Sequence, residues 1–317
     1  MVNKRVTGVT YHFVRNLARS RYPEIKGLPT DSFRYQLNYL TERYTPVRME
    51  DVVQAARDPE YELPPNSLLL TFDDGYLDHF TSVFPLLYAR GLQGCFFVPA
   101  RAVQERRVLD VNKIHFTLAS VADKTKLITT VFELMDEYRE EFDLAPNDAY
   151  YRELAVADRF DPAEVIFVKR LLQKALPERA RKLVVDRVFR QFVTTDEATF
   201  AEELYLNTDQ LKCMLQAGMH LGAHGVDHRW LDTLSPQTQE QEIEGSLRFL
   251  CDLGAAASSG EWVISYPYGA YNDTLLQLLE RKGCALGFTV GAAVTDLSAQ
   301  HVLKAPRFDT NDFPQGR

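Results

Sequence analysis

LLLTFDDGYLDHF, residues 68–80, runs from a stretch apolar enough to be a buried strand straight into two adjacent carboxylates, Asp73 and Asp74, followed by Gly75. Two like charges at a strand's end repel, and burying either costs roughly several kcal/mol unless a cation or hydrogen-bond donors compensate it. Something positive is therefore expected nearby. In a barrel of parallel strands the carboxyl ends build the active site, so the position suits function. Read alone, the same DDG also fits a helix N-cap followed by a solvated turn.

Outward from this strand, short β-rich segments recur at 6–14, 67–73, 94–100, 220–224, 262–267, 284–290 and 302–308, and helical patterns lie between many of them. That alternation is the mark of parallel strands joined by crossover helices. Ser235 followed by Pro236 reads as an N-cap and first helical residue, opening a helix through about Leu250. Asn272 caps a stretch whose Leu275, Leu278 and Leu279 share a face before Gly283 stops it. The expected fold class is α/β, with seven strands in a closed or nearly closed barrel; an open doubly wound sheet is the competing layout. From about 105 to 204 strands vanish and charged helical stretches such as 167–192 take over. A structureless loop of that length is implausible, so this is read as a helical insertion between the third and fourth strands of a single domain spanning 1–317. It could cap the site, dimerise or only decorate.

A chain of 317 residues with 45% hydrophobic and 11% aromatic residues can fill a sizeable core. The net charge of -8 argues against an electrostatic grip on nucleic acid or anionic lipid. No stretch is long enough to span a bilayer, and the first twenty residues lack the apolar run and small-residue cleavage site of a secretory signal. Cys95, Cys213, Cys251 and Cys284 are scattered without a CxxC pair, which fits reduced thiols in a cytoplasmic protein.

A second polar constellation stands at the end of another expected strand. HLGAHGVDHRW, residues 220–230, sets His224 and His228 four residues apart, close enough for both imidazoles to hold one ion if the segment turns like a helix. Two histidines and a carboxylate leave coordination positions free, as a catalytic zinc-type site requires. An isolated HxxxH is a weak signal that chance or core histidines also produce. Paired with DDG across a barrel it gains weight.

TFDDGY (71–76), HGVDH (224–228) and YPYG (266–269), in this order and at these separations, resemble the motifs of the polysaccharide deacetylases of the NodB-type fold, carbohydrate esterase family 4. The resemblance implies a distorted (β/α)7 barrel, here with the helical insertion, that removes an N-acetyl or N-formyl group from an amino sugar using a divalent metal. It implies Asp74, His224 and His228 as metal ligands, Asp73 as general base toward a water on the ion, and the backbone N–H of Tyr268 in the oxyanion hole. Pro267 fixes one backbone angle of that turn and Gly269 permits its bend. Zinc is the default metal for this ligand set, and cobalt or nickel would take the same donors.

Two departures from the family pattern stand out. The arginine expected three residues before Pro267 is Ile264, so Arg307 in KAPRFD is the candidate to hold Asp73; its alternative is a surface ion pair with Asp309. The late histidine expected as general acid is absent, and TYHFV (10–14) resembles the permuted relatives in which a Tyr-His-x-[Ile/Val] segment supplies it, which points to His12 in the first strand. Its alternative is a satisfied core histidine. Trp230 and Tyr76 fit either a sugar groove or the core, whereas His79, His115, His220 and His301 read as packing or surface. The substrate expected is a nucleotide-linked, lipid-linked or oligosaccharide amino sugar of a surface polysaccharide such as an O-antigen or capsule. A catalytically silent sugar-binding or scaffold protein on the same barrel, and a metal-assisted hydrolase of another acyl or amide substrate, remain alternatives.

Overall fold

The computed structural model describes residues 2–158, 161–255, 262–298 and 301–316. The chain folds as two compact units: residues 1–16, 27–106 and 202–317 form one, and residues 17–26 with 107–201 form the other. The helical stretch read from the sequence at 105–204 supplies most of the second unit, which also takes in Leu17–Lys26.

The first unit is built on six parallel strands: β1 (Arg5–Tyr11), β2 (Ser67–Asp73), β3 (Cys95–Val98), β4 (His220–Ala223), β5 (Val263–Ser265) and β6 (Leu286–Phe288), hydrogen-bonded in that order. All seven residues of β2 are buried, as expected of a parallel strand covered on both faces. Strand alternation sorts its side chains. Leu68, Leu70 and Phe72 join the cluster of Val9, Tyr11, Phe96 and Leu221, into which the crossover helices pack, and Leu69 joins Val6, Phe97, Val263 and Phe288 on the other face. Thr71 and Asp73 share the parity of Leu69. Asp73 therefore emerges at the carboxyl end of β2, on the face lined by Phe97 and Phe288.

The expected seventh strand at 302–308 does not form as one piece. Val302–Lys304 is a 3-10 turn, Ala305 makes a single bridge to Phe288, and Phe308–Asp309 pair in parallel with Val9 and Thr10 of β1. Pro306 has no N–H to give a ladder, so the segment cannot run as a continuous strand. It still touches both edge strands, β6 through Ala305 and β1 through Phe308–Asp309, which curls the sheet toward the expected distorted barrel. Thr295–Asp296 add an antiparallel pair to β1.

Local signals set the helices between strands. Ser235 accepts from the Thr238 N–H at the start of Pro236–Leu253, and Asn272 accepts from the Leu275 N–H at the start of Asp273–Arg281. Leu275, Leu278 and Leu279 are buried on one face, and Gly283 follows the helix with φ 73°. No helix among the described residues is long and apolar enough to cross a membrane.

The second unit holds its own core, in which Ile114, Leu127, Val131, Phe167, Leu171, Val184 and Val188 are buried together. The stretch 167–192 is two helical pieces, because Leu176, which precedes Pro177, is extended at ψ 147°. Lys113, 2% exposed, is neutralised by Asp186 at 2.6 Å and Glu197 at 2.9 Å.

Candidate metal and catalytic site

Asp73 ends β2 inside a cage of donors. The Arg307 guanidinium grips it with both arms, Nη1 donating to Oδ1 at 3.0 Å and Nη2 to Oδ2 at 2.7 Å, and the Ser265 hydroxyl donates to Oδ2 at 3.0 Å. Arg307 also donates to Thr71 Oγ1 at 2.9 Å and to Ser265 Oγ at 2.7 Å. The pair is 3% and 4% exposed, so it is a buried ion pair and not a surface contact with Asp309. Burial pushes the Asp73 carboxyl up, but the Arg307 charge and hydrogen bonds, with His224 beside it, hold it well below the usual carboxylate range. The Arg307 stem reaches this place by running against Gly8, where a Cβ would lie 3.0 Å from Arg307 Cγ. Ile264, at the position of the missing motif arginine, faces the opposite cluster.

Asp74 turns away from its neighbour because its backbone is left-handed, φ 76°. Its Oδ2 accepts from the Tyr76 hydroxyl at 2.6 Å. Its Oδ1 is buried without a hydrogen-bond partner and lies 3.3 Å from His224 Nε2 and 3.2 Å from His228 Nε2. His224 Nδ1 lies 2.6 Å from the Ser265 carbonyl, which can only accept, so Nδ1 carries the proton and a neutral ring presents a bare lone pair at Nε2. The His224 lone pair and Nε2 of His228, whose Nδ1 has no hydrogen-bond partner, thus converge on a carboxylate oxygen, an arrangement that suits a cation. Ligands at tetrahedral corners around zinc stand about 3.4 Å apart, given bond lengths of about 2.0–2.2 Å. Asp74 Oδ1 stands at that spacing from each imidazole, and Asp74, His224 and His228, with ligand atoms all within 4.8 Å of one another, form the candidate metal-holding group among the described residues.

The loop carrying the two histidines is held from three sides. Glu242, 4% exposed, accepts from the Val226 N–H at 2.7 Å and the Asp227 N–H at 3.1 Å. Backbone N–H groups of Ala100 and Arg101 donate to the carbonyls of Gly225 and Val226, each at 3.1 Å, and Arg101 pairs with Asp227. His228 adopts φ 52° at the loop's end, which turns its ring toward Asp74.

The turn after β5 supplies the third side. Pro267 is buried; Tyr268 is left-handed at φ 59°, and Gly269 follows at φ 69°, where a Cβ would strike Val290 at 2.7 Å. The Tyr268 ring lies edge-on to His228 at 4.7 Å and stacks on Trp230 at 4.3 Å, which puts this turn beside the candidate ligands.

His12 lies just past the end of β1 and not within it, and it is exposed and so no core histidine. A positive charge on His12 would lower the pKa of both Asp73 and Asp74, and its carbonyl is 2.9 Å from the ring Nε2 of the buried His79. No sequence motif marks Ser265, Thr71 or Glu242, and Tyr76, which fits either a groove or the core by type, is buried beside Asp74. For Ser265 and Thr71 a signal existed: both share the strand face of Asp73. For Glu242, on a helix remote in sequence from the loop it holds, there was none.

Residues 188–287 match the family described as polysaccharide deacetylase, a range that contains the HGVDH and YPYG segments. The chain is 34% identical over 94 residues to YxkH of Bacillus subtilis (strain 168), a protein provisionally named as a polysaccharide deacetylase; the match covers 29% of this chain and spans about a third, 33%, of that relative. Among solved structures, Streptococcus pyogenes deacetylase PplD in complex with acetate superposes with a TM-score of 0.55 at 19% identity, covering 96% of this chain and 92% of that one. IcaB from Ammonifex degensii gives 0.56 at 18% identity, covering 97% and 92%. In sequence over residues 188–287 and in fold over nearly its whole length, the chain is similar to the polysaccharide deacetylases of the NodB type.

Proposed function

We propose that this chain is a metal-dependent N-deacetylase of an amino sugar, a hydrolase of a linear amide C–N bond. The observation that carries this reading is the convergence of His224 and His228 Nε2 on the partnerless Asp74 Oδ1, beside a second carboxylate whose charge is fixed by Arg307. Asp74, His224 and His228 would hold a divalent ion, with zinc as the first choice. When bound, the ion supplies Lewis-acid polarisation of the acyl oxygen and acidifies a water.

The chain's own residues do the rest. Asp73 stays ionised and would serve as the general base for the attacking water, held in line by Arg307 and Ser265. The Tyr268 backbone N–H is aimed at the developing oxyanion by the Pro267–Gly269 turn. His12 gives a proton to the amine as it leaves, which an amide nitrogen needs before the C–N bond breaks. Exposure suits His12 to this task, because a proton donor must be replenished from solvent after each turnover. The acetate bound to the similar Streptococcus pyogenes deacetylase supports an acetyl group as the one removed. The substrate read from the sequence is an amino-sugar precursor of a bacterial surface polysaccharide, acted on in the cytoplasm.

Acetate release from nucleotide-activated N-acetyl sugars and from N-acetylated oligosaccharides, with metal restored and Asp73→Asn as control, tests the reading. Release from one substrate class, abolished in Asp73→Asn, is the expected result. Metal and sugar binding without release in the wild-type protein would identify a silent sugar-binding protein instead.

A further inference from the structure

Asp74 uses its two oxygens differently. Oδ1 faces both imidazoles, whereas Oδ2 takes the Tyr76 hydroxyl at 2.6 Å, the short length of an O–H bond to a charged acceptor. Tyr76 is 1% exposed, and its ring is fixed by stacking on Phe13 at 3.8 Å and by an edge contact with His79 at 5.7 Å. Its backbone is pinned by a bridge to Tyr205. The hydroxyl therefore has little freedom to leave Oδ2. The left-handed backbone of Asp74, followed by Gly75 at φ 65°, folds the chain back so that a side chain two residues on meets the carboxylate.

A carboxylate can ligate an ion through one oxygen or both, and the choice sets how many coordination positions stay open. The buried phenol on Oδ2 fixes the rotation of the carboxylate, and in that rotation Oδ1 is the oxygen that faces the imidazoles. We propose that Tyr76 is a positioning residue that confines Asp74 to one-oxygen ligation and so keeps a coordination position open for substrate. This rests on the metal-site reading above. Tyr76 touches neither substrate nor the reacting atoms. It acts through Asp74, as groups hydrogen-bonded to metal ligands do elsewhere, where their loss typically lowers metal affinity about 10- to 100-fold.

Tyr76→Phe removes the hydroxyl and keeps the stacked ring. The stripped wild-type and variant proteins are titrated with Zn(II) against a competing chelator, and the visible spectrum of each is recorded with Co(II) bound. Affinity for Zn(II) falls about 10- to 100-fold in the variant. Its Co(II) bands weaken as Asp74 turns to ligate through both oxygens and the coordination number rises. Equal affinities, or a fall in affinity with an unchanged Co(II) spectrum, overturn the proposal while leaving the metal site standing. A wild-type protein that takes up no stoichiometric Zn(II) overturns the metal reading itself, and this proposal with it.

Discussion

Arg307→Met offers the sharpest test of how Asp73 is kept ionised. The substitution keeps an apolar stem beside Gly8, Phe97 and Phe288 but withdraws both arms of the guanidinium from Asp73. A carboxylate that is 3% exposed then has only hydroxyl donors, Ser265 at 3.0 Å and Thr10 at 3.4 Å. Stranding one partner of a buried pair costs about 3–5 kcal/mol, against about 0–1 kcal/mol for an exposed pair. The loss must also depend on pH. In the wild-type protein Asp73 is held below its unfolded pKa, so its stabilising contribution is complete above that value and is lost only as pH falls toward the lower folded one. Without Arg307 the largest counterweight to burial is gone, and burial is expected to outweigh the two hydroxyls and His224, so that the folded pKa rises above the unfolded one. The variant's carboxyl then contributes best when protonated, and loses stability as pH rises through the folded pKa, at about 1.4 kcal/mol for each pH unit separating the two values. The gap between wild type and variant should therefore be about 3–5 kcal/mol at pH 8 and clearly smaller at pH 4. Both tryptophans, Trp230 and Trp262, belong to the barrel unit, so urea unfolding followed by their fluorescence reads this unit. A gap below about 1 kcal/mol, or one that does not change with pH, would refute the assignment of Arg307 as the counter-charge.

Asp74→Asn and His228→Ala are expected to lose bound metal while Asp73→Asn keeps it and loses turnover; metal analysis beside acetate release checks this, and equal metal loss in all three contradicts the division of roles. His12→Ala is expected to lower kcat about 10²- to 10⁴-fold with metal content unchanged, and full activity in the variant ends its role as acid. Gly8→Ala sets a Cβ 3.0 Å from Arg307 Cγ, so it should destabilise by about 1–3 kcal/mol and lower kcat by pushing the guanidinium off Asp73, measured by the same unfolding and release assays.

Where local physics decides structure, the sequence was readable. SLLLTFD gives the limits of β2, and Ser235, Asn272 and Gly283 mark helix ends that form as expected. Where tertiary contact decides, it was not. Residues 302–308 carry β-forming types but fold as a turn and two separate pairings, because the stretch spans from β6 to β1 and has Pro306 within it. Leu17–Lys26 joins the helical unit through Tyr22 on Phe116 at 5.0 Å and Lys26 on Asp161 at 2.5 Å, partners 94 and 135 residues away that no periodicity announces. Within the site, the charged and histidine residues announced themselves by type. Their holders did not do so by type: Ser265 and Thr71 are marked only by sharing the strand face of Asp73, and Glu242 by nothing in the sequence.

Backbone geometry supplies an independent argument for the same location. Among the described residues six non-glycine positions have positive φ, and three of them are Asp74 (76°), His228 (52°) and Tyr268 (59°). These are two proposed ligands and the proposed oxyanion residue, drawn from three segments remote in sequence. Left-handed backbone costs a non-glycine residue of the order of 1–2 kcal/mol, and such residues persist only where surrounding structure over-determines them. Each is over-determined here: Asp74 by Tyr76, the histidine loop by Glu242 and Arg101, Tyr268 by Trp230 and the Pro267–Gly269 turn. A fold that only needed to stay folded could relax all three with glycine or asparagine. Glycine at 74 or 228 would ease the backbone but delete a proposed metal donor, so under this proposal the strain remains because the residue type is needed and the backbone yields to it.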